Sequence, residues 1–186
     1  MEQVTQPDEL DEIFDHLVRL HQAHWEAQEE PGLFYFDEET AYYRELAHCM
    51  LENGWLRLHH LDIEGKPCAI DLCYHYRGRA YAQIGGVDRD VVTNITIGDV
   101  LMHYNIGQAI DEGLNEYSFM VGEQAYKYSF GGVTQVQKAF RLVRSPRVRL
   151  QLQIIDTLRA MKLRLQKAKS QISKMISDTS IDKEDD

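Results

Sequence analysis

The chain has 186 residues and a formal net charge of −10, with 44% hydrophobic and 10% aromatic residues. That length and apolar content suffice for one packed domain with an appendage, and the acidic balance argues against a nucleic-acid partner. No apolar run is long enough to cross a bilayer and no basic start leads into an apolar signal core, so a cytoplasmic location is expected.

Charge is unevenly placed. Residues 1–140 carry 24 acidic and 9 basic side chains, residues 141–177 carry 1 acidic and 10 basic, and residues 178–186 carry 5 acidic and 1 basic. The expected division is a folded lobe over residues 1–145, a basic amphipathic helix over 146–177 and an acidic, disordered tail over 178–186. Cys49, Cys68 and Cys73 lack metal-type spacing and are odd in number, which points to reduced thiols.

Along the chain, Pro7 followed by Asp8, Glu9, Asp11 and Glu12 marks a helix start, and Leu10, Ile13, Phe14 and Leu17 recur at helical spacing. Pro31-Gly32 interrupts. Asp37 then suits the N-cap of a second helix that stops at Asn53-Gly54. The period changes after Trp55. Leu56, Leu58, Leu61 and Ile63 predict a strand that turns at Glu64-Gly65-Lys66-Pro67. Ala69, Ile70, Leu72, Tyr74 and Tyr76 predict a second strand, and Arg77-Gly78-Arg79 turns it into a third through Tyr81 and Ile84. A helix is expected from Ile97 to Glu112, a strand from Glu116 to Val121, a compact turn or short helix over 122–132 and a last strand from Gln135 to Val143. This is an α+β pattern, a mixed, mainly antiparallel sheet flanked by helices, with a C-terminal amphipathic helix added. It is the element order of a GNAT acyl-CoA N-acyltransferase core, except that only six residues precede Pro7, so the strand that opens that fold looks clipped.

Three stretches sharpen the likeness. Gly54-Trp55-Leu56-Arg57-Leu58 with Glu64-Gly65-Lys66-Pro67-Cys68-Ala69 forms one, Val87-Asp88 with Ile97-Gly98 a second, and Phe119-Met120-Val121-Gly122-Glu123-Gln124-Ala125-Tyr126-Lys127 the third. In this order they resemble the second lobe of CelD/BcsL-type acetyltransferases, relatives of the Fem aminoacyltransferases. The Gly122-Glu123-x-x-Tyr126-Lys127 signature is the most specific part. Ser118 departs from the aspartate usual there. Because that family usually carries two lobes, the chain is expected to be a fragment, a split partner or a shortened member.

The resemblance implies transfer of an acyl group from acyl-CoA, such as acetyl-CoA, to an amine or hydroxyl. The acceptor would be a small molecule or glycan precursor in cell-envelope or exopolysaccharide (cellulose-like) synthesis. Glu123, Tyr126 and Lys127 are the catalytic candidates: Tyr126 to protonate a leaving thiolate, Lys127 to steady an oxyanion or phosphate, Glu123 to orient or accept a proton. The competing reading pairs Glu123 with Lys127 as an ordinary ion pair one helical turn apart. Ile97, Gly98 and Asp99 would cradle a pyrophosphate with free helix N–H groups, and Asp88 could contact the acceptor. No metal site is expected, since His16, His21, His24 and the adjacent His59-His60 have no carboxylate or cysteine at ligand spacing.

Ile154, Leu158, Met161, Leu165, Ala168, Ile172 and Met175 form a narrow seam flanked by lysines and arginines. It needs a partner: the acidic body, a second copy, a separate first lobe or a membrane surface. A non-catalytic module that completes a split enzyme, or docks through this helix, is therefore the alternative to an active enzyme.

Overall fold

A computed structural model describes residues 1–91, 96–138, 140, 142–158 and 161. The chain divides into two compact units, Met1–Thr134 and Gln135–Asp186. The first unit holds β1 (Glu2–Gln3), α1 (Pro7–Glu26), α2 (Asp37–Glu52), β2 (Leu56–Ile63), β3 (Lys66–Tyr76), β4 (Arg79–Val87), α3 (Ile97–Asp111), β5 (Glu116–Ser118) and α4 (Ala125–Ser129). Its sheet runs β1-β2-β3-β4-β5, antiparallel throughout except that β5 lies parallel to β4.

The alternation of the strands assigns each face. Leu58 pairs with Leu72 and Leu72 with Ile84, and this row packs with Leu10, Phe14, Leu17 and Ala47 of the two amino-terminal helices. The other face carries Ala69 beneath Ile97 and Leu101 of α3. Leu10, Ile13, Phe14, Leu17 and Leu20 of α1 are all buried, each worth about 1.5–3 kcal/mol for complete burial of a side chain of this size.

Three expectations need correction. The opening strand is present: Glu2 and Gln3 pair with His60 and His59, and the buried Val4 donates its N–H to the Leu58 carbonyl at 2.9 Å. A two-residue strand is held by backbone bonds and so leaves no side-chain pattern to read. No strand forms among the described residues of 135–143, and β5 stops at Ser118 rather than Val121. With Met120 at φ 56°, the chain turns off the sheet before β5 is long enough to support a further ladder. Residues 146–158 are helical; the remainder of the expected basic helix, Met161 apart, and the tail lie outside the described residues. Among the described residues no helix is long and apolar enough to cross a membrane.

At the end of α3, Glu112 accepts two bonds from the Arg57 guanidinium, at 2.8 and 3.0 Å, and one from His75 Nδ1 at 2.8 Å. The Arg57 guanidinium, with His75, holds the Glu112 carboxyl down to about 2. The carboxylate thus ties α3 to β2 and β3. We expect Glu112→Gln to cost about 1.5–3 kcal/mol at neutral pH, the range for hydrogen bonds to a charged group. Because the folded-state pKa lies below the ordinary 4.5, that contribution is complete above pH 4.5 and fades as pH falls toward 2. Denaturant melts of both proteins across that window should therefore converge at the acid end.

Candidate active site

Pairing between β4 and β5 covers three residues, Arg79–Glu116, Ala80–Tyr117 and Tyr81–Ser118. Beyond Tyr81, β4 continues to Val87 paired with β3 but no longer with β5, and β4 and β5 part. At this point β4 also bulges. Cys73 pairs with Ala82 and Leu72 with Ile84, which leaves Gln83 as the extra residue. The bulge and the parting together open a wedge of about 250 Å³, lined by β3, by β4 and by the segment after β5.

At the inner end of the wedge stands Asp71. Its register places it between His59 and Gly85 on the face beneath α3. Its carboxylate accepts the Asn105 amide at 2.8 Å. Burial pushes its pKa up to about 7, against the lowering effect of Asn105. Gly85 makes the position possible, because a Cβ there would stand 2.5 Å from the Asp71 Oδ1. The same row holds buried His59, whose ring nitrogens lack partners among the described residues. Burial first, with nearby Arg57 and His75, pulls His59 down to about 4 despite opposing contacts, so it is neutral.

Tyr126 and Lys127 reach the same wedge from α4. Burial, and then the Asp71 charge, raise the Tyr126 pKa, so its hydroxyl stays protonated near neutrality. Lys127 is buried, and its Nζ donates to the carbonyls of Val121 at 2.9 Å and Gly122 at 3.4 Å. Desolvation lowers its pKa. The amine therefore clamps the turn after β5, leaving one of its three N–H donors for another acceptor. Ser118, where the resembling family has aspartate, accepts the Met120 N–H through its hydroxyl at 3.3 Å and so caps the same turn.

The other expected residues lie elsewhere. Glu123 is exposed, precedes α4 and is not part of the wedge lining, whereas Gln124 is. It is thus not one helical turn from Lys127, and the amine bonds to carbonyls instead. Asp88 accepts the Asp90 N–H at 3.0 Å in an Asx turn. Ile97 is buried against Cys68, Ala69 and Leu101. Gly98 lets α3 approach β4, since a Cβ would lie 3.1 Å from Val87 Cγ2. Asp99 adds a carboxylate to the first turn of α3. Its charge favours the helix but opposes an anion at the same end. His21, which also lines the wedge, donates from Nδ1 to the Gly85 carbonyl at 3.0 Å, and its Nε2 accepts the Leu33 N–H at 3.4 Å.

Sequence reasoning passed over Asp71 and Gly85. The signal available was a lone aspartate inside an otherwise apolar strand, Ala69-Ile70-Asp71-Leu72-Cys73, where an unpaired charge is costly.

Residues 1–128 match the family described as acetyltransferase (GNAT) domain. The chain belongs to the GNAT acetyltransferase family. Comparison by sequence with curated proteins returns no match. Among solved structures, a possible acetyltransferase from Clostridium difficile 630 superposes with a TM-score of 0.55 at 15% identity, over 77% of this chain and 96% of its own. The aminoglycoside N-acetyltransferase AAC(6')-Iy, solved with CoA, gives 0.53 at 11% identity, covering 77% and 93%. An aminoglycoside acetyltransferase from an uncultured soil metagenomic sample, solved with sisomicin, gives 0.53 at 17% identity, covering 77% and 95%. At such identities the likeness is one of fold, and the five-stranded, mostly antiparallel sheet flanked by helices is the GNAT fold.

Lys127→Met should lower stability by about 1–3 kcal/mol, because it leaves two carbonyls without their donor. Chemical denaturation will measure this. An unchanged midpoint would mean that the clamp on the 121–122 turn contributes nothing to the fold.

Proposed function

We propose that this GNAT domain transfers an acyl group from acyl-CoA, with acetyl-CoA the first candidate, to an amine or hydroxyl of a small-molecule or glycan-precursor acceptor. The observation that carries the reading is a carboxylate with a pKa near neutrality, Asp71, lining the same wedge as the protonated hydroxyl of Tyr126. Two titratable groups whose environments separate their protonation states are what an acid–base pair requires.

In this reading the acceptor nitrogen or oxygen attacks the thioester carbonyl carbon and gives its proton to Asp71. The carbon–sulfur bond then breaks, and Tyr126 protonates the departing thiolate. The strand edge freed beside Gln83 offers backbone donors for the developing oxyanion, with the remaining Lys127 proton as a second source. The amides of Ile97 and Gly98 would receive the carrier's pyrophosphate, whereas the Asp99 N–H already donates to the Thr96 carbonyl at 2.9 Å. Glu123, exposed before α4, and Asp88 are assigned to the acceptor's approach. A structural relative solved with CoA and another solved with sisomicin support a CoA donor and an amino-sugar-like acceptor. The Gly122-Glu123-x-x-Tyr126-Lys127 signature supports a CelD/BcsL-type member working on envelope or exopolysaccharide precursors.

The test is thiol release from acetyl-CoA with glucosamine and sisomicin as acceptors, alongside calorimetry with acetyl-CoA. The rate should rise with pH through about 7, and Asp71→Asn should lower it by about 10²–10⁴-fold. Stability should move the opposite way. The folded-state pKa lies above the ordinary 3.8, so Asp71 costs the fold progressively more as pH rises from 3.8 toward 7. The Asn variant should thus gain most in melting temperature above pH 7. A variant with the full rate and an unchanged pH profile would remove Asp71 from the mechanism. Absence of acetyl-CoA binding at about millimolar ligand, a Kd limit worth about −4 kcal/mol, would remove the donor.

A further inference from the structure

A second cluster of chemistry-bearing side chains lies where the chain's first strand meets the sheet. Glu2 pairs directly with His60 across β1 and β2, so the two side chains leave the sheet on the same face. Glu9 comes to them from the first turn of α1. One ligand-capable atom from each of Glu2, Glu9 and His60 lies within 4.8 Å of the others.

The state of His60 singles this cluster out. The ring is only 4% exposed, its Nδ1 donates to the Asp62 carboxylate at 2.7 Å, and its Nε2 is buried with no hydrogen-bond partner among the described residues. A buried ring nitrogen left bare, on a histidine gathered with two carboxylates, lacks the partner that buried polar atoms ordinarily find. Histidines that bind metals characteristically hold the other ring N–H on a carboxylate, which fixes tautomer and orientation. Asp62 does that here. Glu9 accepts the Thr5 N–H through Oε2 at 3.2 Å, which leaves its other oxygen free to turn inward.

We propose that Glu2, Glu9 and His60 bind a divalent transition-metal ion, best matched by zinc, which staples β1 and α1 to the sheet. One imidazole and two carboxylates supply three zinc-type donors, and a water would complete the tetrahedron. Calcium would require about six to eight oxygens, and magnesium seldom takes an imidazole. Tetrahedral bonds of about 2.0–2.1 Å put neighbouring donors roughly 3.3 Å apart. The exposed Glu2 and partly exposed Glu9 can close that distance by side-chain rotation, and the same exposure gives the ion a way in. The cation also removes the repulsion between two converging carboxylates.

The experiment uses the full chain stripped with EDTA and then titrated with zinc chloride, with magnesium chloride as the control. One zinc per chain should bind, and the melting temperature should rise with zinc alone. Cobalt substitution should give visible bands of a low-coordinate site. The Glu2→Gln/Glu9→Gln double variant changes only groups with solvent access and so keeps the fold, which far-ultraviolet circular dichroism will check. It should bind at least about tenfold more weakly and lose the thermal shift. Asp62→Asn, which alters only the ring's support, should weaken binding roughly 10–100-fold. No stoichiometric binding at about 100 μM zinc, or equal binding and an equal thermal shift in the double variant, would overturn the proposal. Equal binding would assign the ion to other, partly exposed histidines such as His16 and His24.

Discussion

Everything in the candidate active site follows from one break in hydrogen bonding: β5 stays on β4 for three residues and then leaves it. A strand edge without a partner exposes backbone donors and acceptors that must be met by water or ligand. Here the freed stretch of β4 coincides with the bulge at Gln83, so the edge is re-aimed as well as uncovered. Had β5 continued to Val121 beside β4, the wedge would be filled by sheet. Met120 in the left-handed region and the Lys127 clamp on the Val121 and Gly122 carbonyls hold the chain on its diverging course. The same side chain that reads as catalytic in a signature thus first serves to shape the space in which chemistry could occur.

The second constraint is a polar row in a place where the fold would prefer apolar side chains. His59, Asp71 and Gly85 lie side by side across β2, β3 and β4, with Asn105 descending from α3 onto Asp71. The Asn105 side-chain oxygen and both His59 ring nitrogens lack partners among the described residues. Such a row weakens the core. It also keeps a carboxylate poorly solvated, and poor solvation is what makes it basic near neutrality. Stability is given up where reactivity would be gained, a common arrangement at sites that do chemistry. Elsewhere the charges are well matched. Glu112 receives Arg57 and His75 at the end of α3, while Arg44 of α2 bonds to Asp11 and Asp15 of α1.

Local patterns settled much of this architecture. The Leu10, Phe14 and Leu17 spacing, the alternation through β2–β4 and the Gly-containing turns between them are short-range signals, each decided within a few residues. From them the helices, the antiparallel meander and the GNAT order could be read, and the Gly122 to Lys127 segment could be singled out. The first strand escaped notice because two backbone-paired residues have no periodicity. No strand forms among the described residues of 135–143, because a strand requires an edge to pair with and no window of sequence contains that information.

The division between Tyr126 and Glu123 shows the same limit at the site. By sequence they stand three residues apart in one signature. In the fold one lines the wedge and the other faces solvent, because α4 begins only at Ala125. Asp71 and Asn105, like Glu2 and His60, are far apart along the chain and adjacent only through register and helix docking. The sequence by itself determined most of the elements and the family, because these depend on local propensity and pattern. Only the tertiary structure decided which carboxylate is desolvated, which lysine is a clamp and which histidine nitrogen is left bare, because burial and partnership are properties of packing between distant segments.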